Sequence, residues 1–447
     1  MSTTKISPLL SLFLEKGNIC TDTRKIQKDD IFFALKGANF DGNKFAARAL
    51  EYGASHVIID DPTYAKKGDD RYILVGNALV TLQQLANAYR NHLGIPVLGI
   101  TGSNGKTTTK ELIASVLKTE KKCFATAGNL NNHIGVPLSL LSIPRDTEIA
   151  IIEMGANQPG DIAELCAIAA PNMGLITNIG AAHLEKLGNL EGVLRTKSAL
   201  FEYIRIHGGH VFLNMGDPYL APLTYSLETT TYGHADAQFS YEMLKSEVDK
   251  MEIKVSNEGW DTPKNFVSQL SGEYNAMNML AAISIGVKLG ISMDGIEKGI
   301  HQYVPQNHRS QILKDGNQTF WLDAYNANPT SMAAAIKNIQ HVHGSSRIGL
   351  ILGDMFELGA GSERAHREIG KLINEIKPYV TVGIGPQMKY MLNEVQGRTF
   401  WFEDTLHAAT DIGRIMNPCE AILLKGSRSM GLERLVEPLT EEAVATA

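Results

Sequence analysis

The chain has 447 residues, enough for about three domains of ordinary size. With 44% hydrophobic and 20% charged residues and a net charge of −6, it is composed like a soluble globular protein and carries no basic footprint for nucleic acid. The four cysteines, Cys20, Cys123, Cys166 and Cys419, show no paired spacing, so neither a zinc site nor a disulfide framework is expected and a reducing cytoplasm fits.

The run Leu9-Leu10-Ser11-Leu12-Phe13-Leu14 is too short to cross a bilayer and no small-residue cleavage site follows it, so no membrane span is expected. Residues 1–95 read as a small α/β domain, with β-like runs at 30–35, 56–59 and 71–75 and a helix-compatible stretch at 44–52. Two polar, turn-rich segments lie near its strand ends, one holding Thr23 and Arg24 and the other spanning 37–42. Ligands are commonly met at such loops, although by itself each reads more readily as a surface turn.

Gly94-Ile95-Pro96 reads as a linker into a central domain, 96–304, where strand-like runs at 97–101, 122–126, 148–153, 174–179 and 209–213 alternate with helix-length segments. That alternation predicts βαβ units and a mostly parallel sheet, with ligands beyond the carboxyl ends of its strands. The first such end carries Thr101-Gly102-Ser103-Asn104-Gly105-Lys106-Thr107-Thr108, a glycine turn opening a helix. The first glycine of the general phosphate-loop pattern falls on Ile100, so the shorter core Thr-Gly-x-x-Gly-Lys-Thr is what remains. Such a turn lets backbone N–H groups and a helix N-terminus approach phosphate oxygens, Lys106 reach the outer phosphates and the Thr107 hydroxyl hold Mg²⁺. Nucleotide binding is therefore expected.

Other strand ends add candidates. Glu153 closes the run 149–153 and is placed to hold Mg²⁺. His183 follows the run 176–180 in the same way; a lone strand-end histidine is more often structural, but the shared location narrows those odds. Asn129, Asn131 and Asn132 make a third polar loop. Between Leu190 and Tyr203, apolar residues at 190, 193, 194, 200 and 201 place Lys197 on or beside the buried face of a helix. Residues 229–271 alternate in the manner of an antiparallel meander, and an apolar helix follows from Tyr274, with Asn275 and Asn278 on one face.

A last domain, 305–447, again alternates strand and helix, and a Rossmann-like sheet is expected from runs at 319–323, 348–352, 379–384 and 420–424. Their polar loops hold Asp323, Tyr325, Asn326 and Asn328; the stretch Gly353-Asp354-Met355-Phe356-Glu357-Leu358-Gly359; and Lys425, Ser427 and Arg428.

Taken together, the glycine turn at 101–109, Gly128 to Asn132, Glu153-Met154-Gly155, Ala182 to Glu185, Asn275-x-x-Asn278, Asp323-x-Tyr325-Asn326-Ala327-Asn328-Pro329, the 353–359 stretch and Lys425-Gly426-Ser427-Arg428 resemble the Mur ligase family. The turn alone would be shared with folylpolyglutamate ligases; the loops at 323–329 and 425–428 look like those of members that add D-alanyl-D-alanine. The resemblance implies an α/β chain of three domains: an N-terminal domain for a UDP-sugar, a central ATPase domain and a mobile C-terminal ligase domain. It implies an ATP- and Mg²⁺-dependent amide ligase, monomeric and cytoplasmic, joining D-alanyl-D-alanine to a UDP-N-acetylmuramoyl-tripeptide through an acyl phosphate. Carried over by position, Lys106 binds the β/γ-phosphates, Thr107, Glu153 and His183 serve Mg²⁺, and Lys197 matches a lysine that the family carbamylates to bridge a second Mg²⁺. Asn275 and Asn278 face the adenine, while Arg309 and Asp323 close on the phosphates and ribose. Two positions depart from the pattern: Ser198-Ala199 stand where many relatives have Gly-Glu after the lysine, and Tyr274 stands where many have histidine. Other readings are another ligase of the superfamily, or a nucleotide-gated switch needing only the central domain.

Overall fold

The computed structural model describes residues 6–223, 227–305, 309–344 and 347–445. Three large sheets follow one another along the chain. The first pairs Ile19–Cys20, Ile31–Phe33, His56–Ile59 and Tyr72–Leu74 in that order, all parallel. The segment at 37–42 contains one side of a two-residue hairpin, Lys36–Gly37 against Phe40–Asp41. Helix Ala78–Leu93, capped by the Asn77 side chain at one end and by Gly94 at φ +64° at the other, then packs onto the central region. Tyr89 Oη donates to Ile143 O at 2.7 Å and Arg90 Nε to Ala169 O at 3.1 Å, and one apolar cluster runs without a break from Leu9 and Phe13 to Val136 and Leu140.

The nine-stranded central sheet runs in the order Lys264–Ser268, Met251–Asn257, Phe239–Ser246, Glu228–Gly233, His210–Asn214, Met173–Ile176, Val97–Thr101, Ile149–Glu153, Cys123–Ala125. Its middle strands are covered on both faces, which is why they are continuous apolar runs rather than alternating ones. One cover is helix Lys106–Leu117 against helix Glu273–Lys288, with Leu112, Ile113, Val116, Met279, Leu280 and Ile283 all fully buried. Each such side chain contributes roughly 1.5–3 kcal/mol through removal from water.

Two expectations are corrected here. The stretch 229–271 is not wholly antiparallel: Glu228–Gly233 adds parallel to His210–Asn214, Phe239–Ser246 adds parallel to it, and only the last three strands alternate in direction. Side-chain alternation marks a strand with one covered face and is silent on direction. The run 174–179 ends its regular strand at Ile176; beyond it Thr177 and Asn178 bond to the glycine turn, and Ile179 N–H donates to Asp217 Oδ2 at 2.8 Å.

The C-terminal sheet runs Gln311–Asp315, Gln318–Asp323, Ala421–Lys425, Ile348–Gly353, Val380–Ile384, Thr399–Phe402; the first strand is antiparallel and the rest are parallel. No helix among the described residues is long and apolar enough to cross a membrane.

Candidate active site

The carboxyl ends of the central sheet and of the C-terminal sheet line one cavity of about 520 Å³. Strand Val97–Thr101 delivers the chain into the turn 102–105, and the turn needs glycine at two places. Gly102 has φ +145° and a Cβ there would lie 1.9 Å from Thr177 Oγ1; Gly105 has φ +78° and its Cβ would meet Asn278 Oδ1 at 2.8 Å. Thr177 Oγ1 donates to Asn104 O at 2.6 Å, while Asn178 accepts from Asn104 N–H and donates to Asn104 O, both at 3.0 Å. The turn is thus held in shape from the adjacent strand end. Lys106 opens the helix and folds its ammonium onto Gly102 O at 2.7 Å, and burial pushes its pKa below the usual lysine value.

Next to this turn, at the end of Ile149–Glu153, the Glu153 carboxylate is 2% exposed. A buried carboxylate must be paired and hydrogen-bonded. It accepts from Thr107 Oγ1 at 3.0 Å and Asn131 Nδ2 at 2.9 Å, and it faces Lys110 Nζ at 3.4 Å. A hydroxyl and a carboxylate side by side on a cavity wall suit a hard cation. Among the described residues no group of three or more His, Cys, Asp or Glu could hold a metal, so such an ion would complete its shell with phosphate oxygens and water.

Helix Leu190–His207 buries Lys197 completely, and its Nζ has no hydrogen-bond partner among the described residues. Burial, with the nearby Lys106 charge, holds its pKa well below that of an ordinary lysine. Its amine is an orphaned polar group of the kind a fold keeps only for a reason.

Asn275 and Asn278 sit at the start of helix Glu273–Lys288 and tie it to the helix that leaves the turn: Asn278 accepts from Thr109 Oγ1 at 2.9 Å and donates to Asn275 Oδ1 at 2.8 Å. Tyr274 reaches Ser310 Oγ at 3.0 Å, and burial raises its phenol pKa. From the C-terminal sheet, Lys425 Nζ donates to Asp323 Oδ2 at 2.5 Å and to Asn326 O at 3.2 Å. The guanidinium carbons of Arg309 and Arg428 lie 3.5 and 4.7 Å from the centre of the Tyr325 ring. Asn328 caps helix Pro329–His343 through Oδ1 and donates from Nδ2 to Asn104 Oδ1 at 2.7 Å, a direct link between the C-terminal loop and the glycine turn.

The structure therefore gathers Ser103, Asn104, Gly105, Lys106, Thr107, Thr108, Asn129, Asn131, Glu153, His183, Asn275, Asn278, Arg309, Asp323, Tyr325, Asn326 and Lys425 around one cavity. Gly102, Lys197, Asn328, Ser427 and Arg428 stand behind or beside its lining. Ser427 Oγ accepts from Phe356 N–H at 3.1 Å. Asn132 spends its carboxamide oxygen on the N–H groups of Ile134 and Gly135. Thr23 and Arg24 lie in a short turn after the first strand, outside the cavity lining, with Arg24 paired to Asp22 at 2.7 Å. Sequence reasoning overlooked Lys110, Thr177, Asn178 and Asp217, which support the site; Lys110 one turn after Lys106 was the one readable signal.

Three family models match in succession: "Mur ligase family, catalytic domain" over residues 17–100, "Mur ligase middle domain" over 100–286 and "Mur ligase, glutamate ligase domain" over 308–428. A Bacillus subtilis relative named UDP-N-acetylmuramoyl-tripeptide--D-alanyl-D-alanine ligase is 36% identical over 96% of this chain and 94% of its own. An Escherichia coli relative of the same name is 31% identical over 95% and 93%. Among solved structures, MurF of Acinetobacter baumannii aligns with TM-score 0.87 at 28% identity, covering 95% of this chain and 93% of that one. The MurF ligase of Thermotoga maritima in complex with ADP aligns with TM-score 0.86 at 26% identity, covering 97% and 99%. With the glycine turn, the paired carboxyl edges and these matches over nearly its whole length, the chain belongs to the Mur ligase family.

Proposed function

We propose that this protein joins D-alanyl-D-alanine to UDP-N-acetylmuramoyl-tripeptide at the expense of ATP, giving the pentapeptide precursor of peptidoglycan. The observation that carries the reading is the single cavity shared by a phosphate-binding turn and the polar loops at Asp323 and Lys425. A carboxylate is a poor electrophile. Transfer of the γ-phosphoryl group to the tripeptide's terminal carboxylate creates an acyl phosphate with a good leaving group. The dipeptide amine then attacks the acyl carbon, the C–O bond to phosphate breaks, and the amine's proton is lost as the amide forms.

In this reading the units divide near residues 95 and 304. Lys106 leaves Gly102 O for the β/γ-phosphates, where a fixed positive charge stabilises the charge that develops on transfer. Thr107, Glu153 and His183 would hold Mg²⁺, which when bound neutralises and orients the phosphates. Asn275 and Asn278 meet the adenine, and Arg309 and Asp323 meet phosphates and ribose. Thr23, Arg24 and the loop with Asn129, Asn131 and Asn132 serve the UDP-sugar substrate. Tyr325, Asn326, Asn328, Lys425, Ser427 and Arg428 serve the incoming dipeptide. The neutral amine of Lys197 adds CO₂ and releases a proton, becoming a carbamate that is attracted to Lys106 rather than repelled by it. The enzyme works as a cytoplasmic monomer.

The test is ADP release with UDP-N-acetylmuramoyl-tripeptide, with and without D-alanyl-D-alanine. Release that requires both substrates is the expected result; release indifferent to either one contradicts the reading. Glu153→Gln keeps the size of the side chain and removes its charge, so the Mg²⁺ concentration for half-maximal turnover should rise about tenfold or more. An unchanged Mg²⁺ titration would remove Glu153 from the metal site.

A further inference from the structure

The loop carrying His183 follows a strand of the central sheet, and the loop carrying Glu357 follows a strand of the C-terminal sheet. They meet at the cavity rim. His183 Nδ1 lies 2.5 Å from Glu357 Oε2, and Glu185 N–H donates to Glu357 O at 3.0 Å. A Cβ on Gly359 would come within 3.2 Å of Glu185 Cα, so the two loops are in close backbone contact as well. Neither His183 nor Glu357 is a glycine, yet both have left-handed backbones, with φ +55° and +61°. Such conformations cost free energy and persist where the surroundings over-determine them, characteristically at working sites.

The His183 and Glu357 side chains are 18% and 53% exposed. A contact so exposed adds little to the stability of a fold. Its geometry does something else: the Glu357 carboxylate is in contact with Nδ1 without the alignment of a hydrogen bond, so it restricts the imidazole sterically and electrostatically, on the side away from the cavity that His183 lines. Building on the ligase reading above, we infer that Glu357 is a positioning residue through which the C-terminal sheet orients His183, so that the ring is set for work when the two sheets are seated together. Domain seating and the assembly of the central site are then one event, and the 353–359 loop has a task in it.

The experiment uses the full chain with Glu357→Ala, Glu357→Gln, His183→Ala and the double alanine variant. Small-angle X-ray scattering with ADP reports seating without any need for turnover. Glu357→Ala should enlarge the radius of gyration, and its kcat should fall about tenfold while KM for ATP stays within about twofold. Glu357→Gln keeps the size of the side chain and an oxygen against Nδ1, and should restore the scattering profile and most of kcat. The double variant should scatter no differently from Glu357→Ala, since the two side chains act as one contact. Wild-type scattering and kcat in Glu357→Ala, or additive changes in the double variant, would overturn the inference. If the ligase reading itself failed, wild-type protein would not ligate the dipeptide, and the scattering cycle would still decide whether Glu357 couples the sheets.

Discussion

Lys106→Ala should lower ligation by at least about 10²–10³-fold at saturating ATP, the scale on which removal of one transition-state charge contact acts. The fold should survive. Helix Lys106–Leu117 is held by Leu112, Ile113, Val116 and Leu117, all fully buried, whereas the lysine's ammonium rests on two carbonyls of its own turn, Gly102 O and Ser103 O. Alanine is also the best helix former for the vacated position. An unchanged melting temperature beside a collapsed kcat would separate phosphoryl-transfer stabilisation from packing. Turnover near wild type would remove the glycine turn from the chemistry.

Lys197→Ala should be almost as inactive, for a different reason. The amine is wholly buried, has no hydrogen-bond partner among the described residues, and lies beside the Lys106 charge; its pKa is lowered, which favours the neutral amine that alone adds CO₂. Small carboxylates added to the assay should partly rescue the alanine variant by filling the oxygen-ligand position. Lys197→Arg should not recover, because a guanidinium keeps its charge and forms no carbamate. The unmodified lysine has a second signature. Its folded pKa lies below the unfolded one, so between the two values the unfolded chain binds more protons and stability rises with pH. In CO₂-free buffer near neutrality, Lys197→Met should therefore melt higher than the parent protein while remaining inactive. Full activity of the alanine or arginine variant without additives would end this role for Lys197.

What could be read from the sequence depended on how local each signal was. The glycine turn announced itself because Gly102 and Gly105 occupy backbone conformations that other residues avoid, with Lys106 and Thr107 at fixed offsets. The inward face of Lys197 followed from helical spacing, though not that its amine would lack a hydrogen-bond partner among the described residues. The three sheets were legible from short apolar runs separated by helix-length segments, whereas Ile19–Cys20 is too short to show a period, and Gln311–Asp315 and Thr399–Phe402 give too weak a run to stand out. Strand direction in 228–246 was hidden because alternation reports a covered face alone. The partners of Glu153 and the seat of His183 on Glu357 needed the adjacency of strands distant in sequence. Asn132 and Asn328 show the converse: a polar loop residue chosen as a ligand candidate can spend an oxygen on the backbone of the next helix.

The central claim is that the tripeptide's carboxylate is phosphorylated before the amide forms. UDP-N-acetylmuramoyl-tripeptide labelled with ¹⁸O in both oxygens of that carboxylate, incubated with ATP, Mg²⁺ and D-alanyl-D-alanine, tests it by mass spectrometry of both products. Phosphate carrying one ¹⁸O and a pentapeptide whose new amide retains the other are the predicted result. Unlabelled phosphate released with each ligation would contradict it.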